Sequence, residues 1–192
     1  MKSQAPVLFD LNERLGTLTR ARLRQAGLAH GLQTIHLQVL LYLGRANRLS
    51  NTPQATTEYL GLTKGTVSQS ILVLARKRLV TRQTDERDGR VVRLVLTERA
   101  VSLLKEINVA SVWRDALQTA SPARVSSAMQ VLRQVLARLQ ADAGQRTFGV
   151  CSTCRHNQRL GPRSYFCALI QEKLSSPEVR LICRVHAPPD PG

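Results

Sequence analysis

Three helix starts and one hairpin turn are packed into residues 52–97, and that succession is the strongest constraint on the fold. Thr52-Pro53 sets a capping hydroxyl before a proline suited to the first helical turn. Leu60-Gly61-Leu62 reads as a tight turn and Thr63 as the cap of a second helix, with Val67, Ile71, Leu74 and Leu79 on one apolar face. Two short helices joined by a brief glycine turn make a helix-turn-helix. Residues 79–82 and 90–96 are β-rich, and Asp88-Gly89 between them is a strong hairpin signal. The expected class is mainly α: a winged helix-turn-helix with a small β-hairpin wing.

The charge balance says what such a fold would bind. Lys and Arg number 28 against 13 Asp and Glu, a net charge of +15, which suits a polyanion such as duplex DNA. Eight of the basic residues (Lys64, Arg76, Lys77, Arg78, Arg82, Arg87, Arg90, Arg93) fall between residues 64 and 93, against Asp85, Glu86 and Asp88. Lys64, Thr66, Ser68, Gln69 and Arg76 lie on the face opposite the apolar one and are suited to reading a major groove. No run of 18 apolar residues is present, so no membrane partner is expected, and residues 1–10 do not read as a secretory signal. A cytoplasmic protein is expected.

The flanking segments read as helices. Leu8, Leu11, Leu15, Leu18 and Leu23 make an amphipathic stripe over residues 7–28, and residues 34–43 are apolar on several sides, as a buried helix would be. Thr97 opens what reads as one long helix to about Leu117, and Ser121-Pro122 caps another that ends at Gly144. In that last helix Val125, Met129, Leu132, Leu136 and Leu139 form a seam for a partner helix or for an internal core face.

These residues resemble the MarR family of regulators over residues 8–139. The resemblance is carried by Leu60-Gly61-Leu62-Thr63-Lys64-Gly65-Thr66-Val67-Ser68, by Asp85-Glu86-Arg87-Asp88-Gly89-Arg90 and by Leu94-Val95-Leu96-Thr97. It implies a homodimer with intertwined first and last helices, recognition helices in successive major grooves and wing tips in the flanking minor grooves. On that basis Thr63, Lys64, Thr66, Ser68 and Gln69 would face DNA, with Arg87 and Arg90 on the wing and Asp88 orienting Arg90. A small-molecule effector, often aromatic, is the family's usual further partner. The chain departs from the pattern after the recognition helix: Arg76 and Arg78 stand where an acidic residue and a glycine are usual, so a non-glycine is expected to adopt left-handed backbone.

Beyond Gly144 the character changes. All four cysteines lie here, as Cys151-x2-Cys154-x12-Cys167-x15-Cys183, so residues 1–146 are expected to form the winged-helix domain and residues 147–192 a four-cysteine metal-binding tail. In a reducing compartment such clustering favours metal ligation over disulfides. One close pair with two remote cysteines suits an iron-sulfur cluster, with [4Fe-4S] preferred, and residues 167–183 loosely resemble high-potential iron-sulfur proteins. Zinc is the alternative, with Cys183-x2-His186 serving as a second knuckle. His156 and His186 are expected beside the site rather than on the metal. A tail of this length buries too little by itself, so the metal is expected to supply much of its folding energy.

The function these features favour is a DNA-binding transcriptional repressor with a metal- or redox-responsive tail, its signal passing through the adjacent dimer helix. A regulator with a purely structural zinc tail is the alternative. A thiol-disulfide oxidoreductase using Cys151 and Cys154 is disfavoured, because the pair follows a helix instead of opening one after a strand. No phosphate loop, carboxylate pair or Ser-His-Asp set marks an ordinary enzyme.

Overall fold

The computed structural model describes residues 4–189. Seven helices make up most of it: α1 (Gln4–Leu28), α2 (Thr34–Leu43), α3 (Pro53–Leu60), α4 (Lys64–Arg76), α5 (Glu98–Ile107), α6 (Val109–Leu117) and α7 (Pro122–Asp142). Their starts follow local chemistry. The hydroxyl oxygens of Thr52, Thr63, Thr97 and Ser121 accept the N–H groups of Ala55, Thr66, Ala100 and Arg124, each satisfying one donor that a helix start leaves over. Gly61 ends α3 at φ 62°, the left-handed turn that lets α4 leave at an angle.

The long helix expected after Thr97 is two helices. Asn108 takes φ 36° and ψ 53°, closing α5 with its N–H on the Leu104 carbonyl before α6 begins. Asparagine is a weak helix former that tolerates this conformation, so the apolar period continues across a break in the backbone.

Strands β1 (Val80–Thr84) and β2 (Val92–Leu96) form the wing, in register from Val80 opposite Leu96 to Thr84 opposite Val92. The core is built around α2, whose Leu37, Val39 and Leu40 are fully buried, with Val67, Ile71 and Leu74 of α4, Leu94 of the wing and Ala100 and Leu103 of α5 closing on it.

The C-terminal segment holds short strands: β3 (Gly149–Val150), β4 (Asn157–Arg159), β5 (Tyr165–Cys167), β6 (Glu172–Leu174) and β7 (Ile182–Cys183). Strand β3 pairs with β7, and β4, β5 and β6 form an antiparallel sheet. This lobe has its own apolar cluster of Cys151, Cys167, Cys183, Leu174 and Val179, yet it is stitched into the winged helix. Ile182 is buried in the main core and bridges Ala46: its N–H donates to the Arg45 carbonyl (2.7 Å) and its carbonyl accepts from Asn47 N–H (2.9 Å). Phe148 packs edge-on against the stacked rings of Tyr42 and Tyr59. The lobe therefore docks on the loop between α2 and α3. It thereby touches the helix-turn-helix directly.

Candidate nucleic-acid interface and thiol cluster

Helix α4 buries Val67, Ile71 and Leu74 and leaves Lys64, Thr66, Ser68 and Gln69 exposed, because the 3.6-residue period puts the two sets on opposite sides. Thr63 is exposed too, but its Oγ1 accepts from Thr66 N–H (3.1 Å) and lies 2.9 Å from Thr66 Oγ1. The Thr63 and Thr66 hydroxyls thus shape the helix start, and Lys64, Ser68 and Gln69 project beyond it.

Arg87 and Arg90 are exposed at the wing tip. The strands are joined by seven residues (85–91), and within them Asp88-Gly89-Arg90-Val91 forms a tight turn closed by the Val91 N–H on the Asp88 carbonyl (2.9 Å). Asp85 organises it. One carboxylate oxygen accepts the N–H groups of Arg87 and Asp88 (both 3.0 Å), and the other accepts from Arg93 Nε (2.6 Å). The Arg93 guanidinium, followed by these backbone donors, holds the Asp85 carboxyl down to about 2. The Asp88 carboxylate accepts the Arg90 N–H (3.0 Å), so it orients the backbone of the arginine. Sequence reasoning missed Asp85; an acidic residue closing a strand two and three positions before free amides was the available signal.

Arg78 has φ 57°, the left-handed backbone expected from the missing glycine, and its carbonyl accepts from Thr97 Oγ1 (2.9 Å).

In the C-terminal lobe the four cysteines converge as free thiols, with Cys151, Cys167 and Cys183 buried and Cys154 partly so. Burial, and then the charges of the other three thiols, push Cys151 up to about 12; burial likewise raises Cys183. Hydrogen-bond donors point at the sulfurs. The Asn47 side chain and Val185 N–H reach Cys183, and Ala187 N–H donates to Cys154 Sγ (3.4 Å). Such donors stabilise a thiolate, and they are the usual surroundings of sulfur that ligates metal. Among the described residues no three His, Cys, Asp or Glu side chains are grouped as a single metal ion would require.

His186 lies beside the thiols with both ring nitrogens occupied. Its Nε2 is 3.1 Å from Thr153 Oγ1 and its Nδ1 3.5 Å from Thr147 Oγ1, while its ring covers Gly149, where any Cβ would overlap it. The His156 carbonyl accepts from Ala168 N–H between β4 and β5.

Polar contacts tie this lobe to α3, the α2–α3 loop and the wing. Arg184 makes a two-pronged pair with Glu58 of α3 (both 2.6 Å), and its N–H donates to Ser50 Oγ (2.8 Å). Arg48 reaches Glu172 (2.7 Å) and Glu178 (3.1 Å), and Arg87 of the wing pairs with the same Glu172.

A helix-turn-helix with an exposed polar second helix, a wing with an ordered basic tip and an aliphatic core of α2, α4, α5 and the wing define a winged helix-turn-helix protein carrying an added thiol-rich lobe. Residues 30–91 match the model of the MarR family. Among solved structures the chain is similar to the transcriptional regulator PA3341, with 29% identity over 70% of this chain and 98% of that one (TM-score 0.62). It is also similar to a MarR-family regulator from Silicibacter pomeroyi, with 22% identity over 71% and 90% of the two chains (TM-score 0.60). CouR from Rhodococcus jostii RHA1, solved with p-coumaroyl-CoA, shares the fold at 19% identity over 66% and 89% (TM-score 0.54). No curated protein matches the chain. The chain is thus similar in fold to regulators of the MarR family over about 70% of its length, and residues 30–91 match that family's model. No helix among the described residues is long and apolar enough to cross a membrane.

Proposed function

We propose that the protein is a homodimeric repressor that occupies a duplex operator through α4 and the wing, and that its four cysteines hold a metal centre whose state is reported to DNA. The observation that carries the DNA-binding reading is the exposed polar face of α4 beside a basic wing tip held open by Asp85. Lys64, Ser68 and Gln69 supply donors for base edges and phosphates, and Arg87 and Arg90 supply cations for the narrow groove.

Dimerisation is supported by the bare faces of α1 and α7. Helix α7 buries no residue within the chain and leaves Leu132, Leu136 and Leu139 at least half exposed, as α1 does Phe9, Leu11 and Leu18. A second copy covering both would remove this apolar surface from water. Grooves of about 440 and 690 Å³ between α1 and α5 to α7, both bordered by Trp113, would hold an apolar effector. CouR, which shares this fold, is solved with p-coumaroyl-CoA, a ligand with an aromatic acyl group.

For the metal centre, four thiols with amide donors aimed at two of them fit a cluster better than one ion. A tetrahedral zinc draws its thiolates to about 2.3 Å, whereas a four-iron cluster holds them wider apart. Bound there, [4Fe-4S] would supply sensitivity to oxidants.

Footprinting tests the DNA reading: the protein should protect a roughly palindromic site with half-sites about one helical turn apart. Arg90→Ala should weaken binding on many sequences and Gln69→Ala should shift preference at particular base pairs. Equal affinity for every duplex at moderate salt would sink the regulator reading. For the metal, protein purified without oxygen should be brown and contain iron and sulfide; stoichiometric zinc would make the lobe a structural clip.

A further inference from the structure

One carboxylate in the thiol lobe sits on the wing tip. Glu172 accepts from Arg87, whose side chain is otherwise 73% exposed, and from Arg48 of the α2–α3 loop at 2.7 Å. Arg48 is also held by Glu178 (3.1 Å) and by the Lys173 carbonyl (3.3 Å). Glu178 in turn is fixed by the N–H and hydroxyl of Ser175 (both 2.8 Å). The acidic groups are thus rigidly mounted, and they face two cations on the side of the molecule assigned to DNA.

Their mount is the thiol cluster itself. Glu172 is the register partner of Cys167 across β5 and β6, and Leu174, two residues on, is buried among the cysteines. Leu49 packs on the same cluster, directly after Arg48. The carboxylate on the wing tip and one of the four thiols, Cys167, therefore share one small sheet, and Leu174 of that sheet packs in the cluster that holds Cys151 and Cys183.

We propose that the thiol-rich lobe is an electrostatic latch on the wing: Glu172 holds Arg87 and Arg48 away from phosphate, and loosening the four-thiol unit releases both. The latch rests on the DNA-binding reading above. A carboxylate on a wing-tip guanidinium competes with the DNA backbone for that cation, and phosphate contacts are what make affinity depend on salt. A pair this exposed is weak, so the latch adjusts affinity by up to about fivefold and does not switch it off.

The test uses the full chain and a mixed-sequence duplex, with binding followed by fluorescence anisotropy over a range of salt. Glu172→Gln keeps the shape and removes the charge; it should tighten binding about two- to fivefold and steepen the salt dependence by up to about one phosphate contact. Arg87→Gln should weaken binding, and Glu172→Gln added to Arg87→Gln should then gain less than it does alone. Cys167→Ser should reproduce the effect of Glu172→Gln and add little to it. Leu174→Ala, which loosens β6 without touching a thiol, stands in should the serine variant fail to fold. The latch is overturned if Glu172→Gln binds as the parent does, or if its gain is the same with and without Arg87. It is also overturned if loosening β6 leaves affinity and salt slope unchanged. A parent chain that binds no duplex at all would instead remove the DNA-binding reading, a different result from a bound but indifferent variant.

Discussion

Arg78 shows how one residue can work against its neighbours and be tolerated. Its left-handed backbone is disfavoured for any residue with a Cβ, by roughly 1 kcal/mol, yet the turn from α4 into β1 requires it. Arg78→Gly should therefore raise stability by about 1 kcal/mol, visible as a higher melting temperature, and a lower one would mean that the arginine side chain makes a compensating contact. His36 gives the pH dependence. It is buried, and its Nδ1 accepts the Gln33 N–H (3.1 Å) at the start of α2, a bond that only the neutral ring makes. Desolvation, and then the charge of Lys77, lower its pKa below 6.5. The unfolded chain takes up the proton first as pH falls, so this contribution is complete above about 6.5 and is lost progressively below it. Melting temperatures between about pH 8 and about pH 5 should fall less for His36→Asn, which keeps an acceptor but does not titrate; parallel curves would remove His36 from the account.

Among the elements, those defined by nearby residues were legible in the chain. The caps at Thr52, Thr63, Thr97 and Ser121 stand where the sequence puts them, because a hydroxyl and an amide three residues apart need no third party. The break at Asn108 was not legible, since an apolar period runs through it unchanged. The docking of the C-terminal lobe was illegible for another reason. It depends on two-residue strands and on backbone bonds from residues 45 and 47 to residue 182, and backbone pairing leaves no side-chain pattern to read. The four cysteines announced a shared site, but nothing in their spacing showed that Glu172 would hang from it over the wing. Helix α7 carries the prediction at this scale. Since it buries nothing within the chain, Leu132→Glu with Leu136→Glu should leave the fold intact and yield monomers by light scattering. A dimer that survives both changes would move the interface elsewhere.

For the whole molecule, the two apolar clusters are not two independent bodies. Ile182, 3% exposed, completes the core built by α2 and α4, and Phe148 joins the rings of Tyr42 and Tyr59. Ile182→Ala should cost about 2 to 5 kcal/mol by leaving a cavity, and it should lower the melting temperature of the winged helix together with that of the lobe. Two separate transitions, with only one displaced, would show that the lobe is merely resting on its neighbour. Placing that isoleucine so late in the chain also gives assembly an order in time. A ribosome finishes α4, the wing and α7 well before it reaches Ile182, so the growing polypeptide carries an open slot in its apolar interior until the final strand arrives. The nascent chain would be left soft and easily degraded at that stage, and would tighten only once the segment bearing Cys183 has been made.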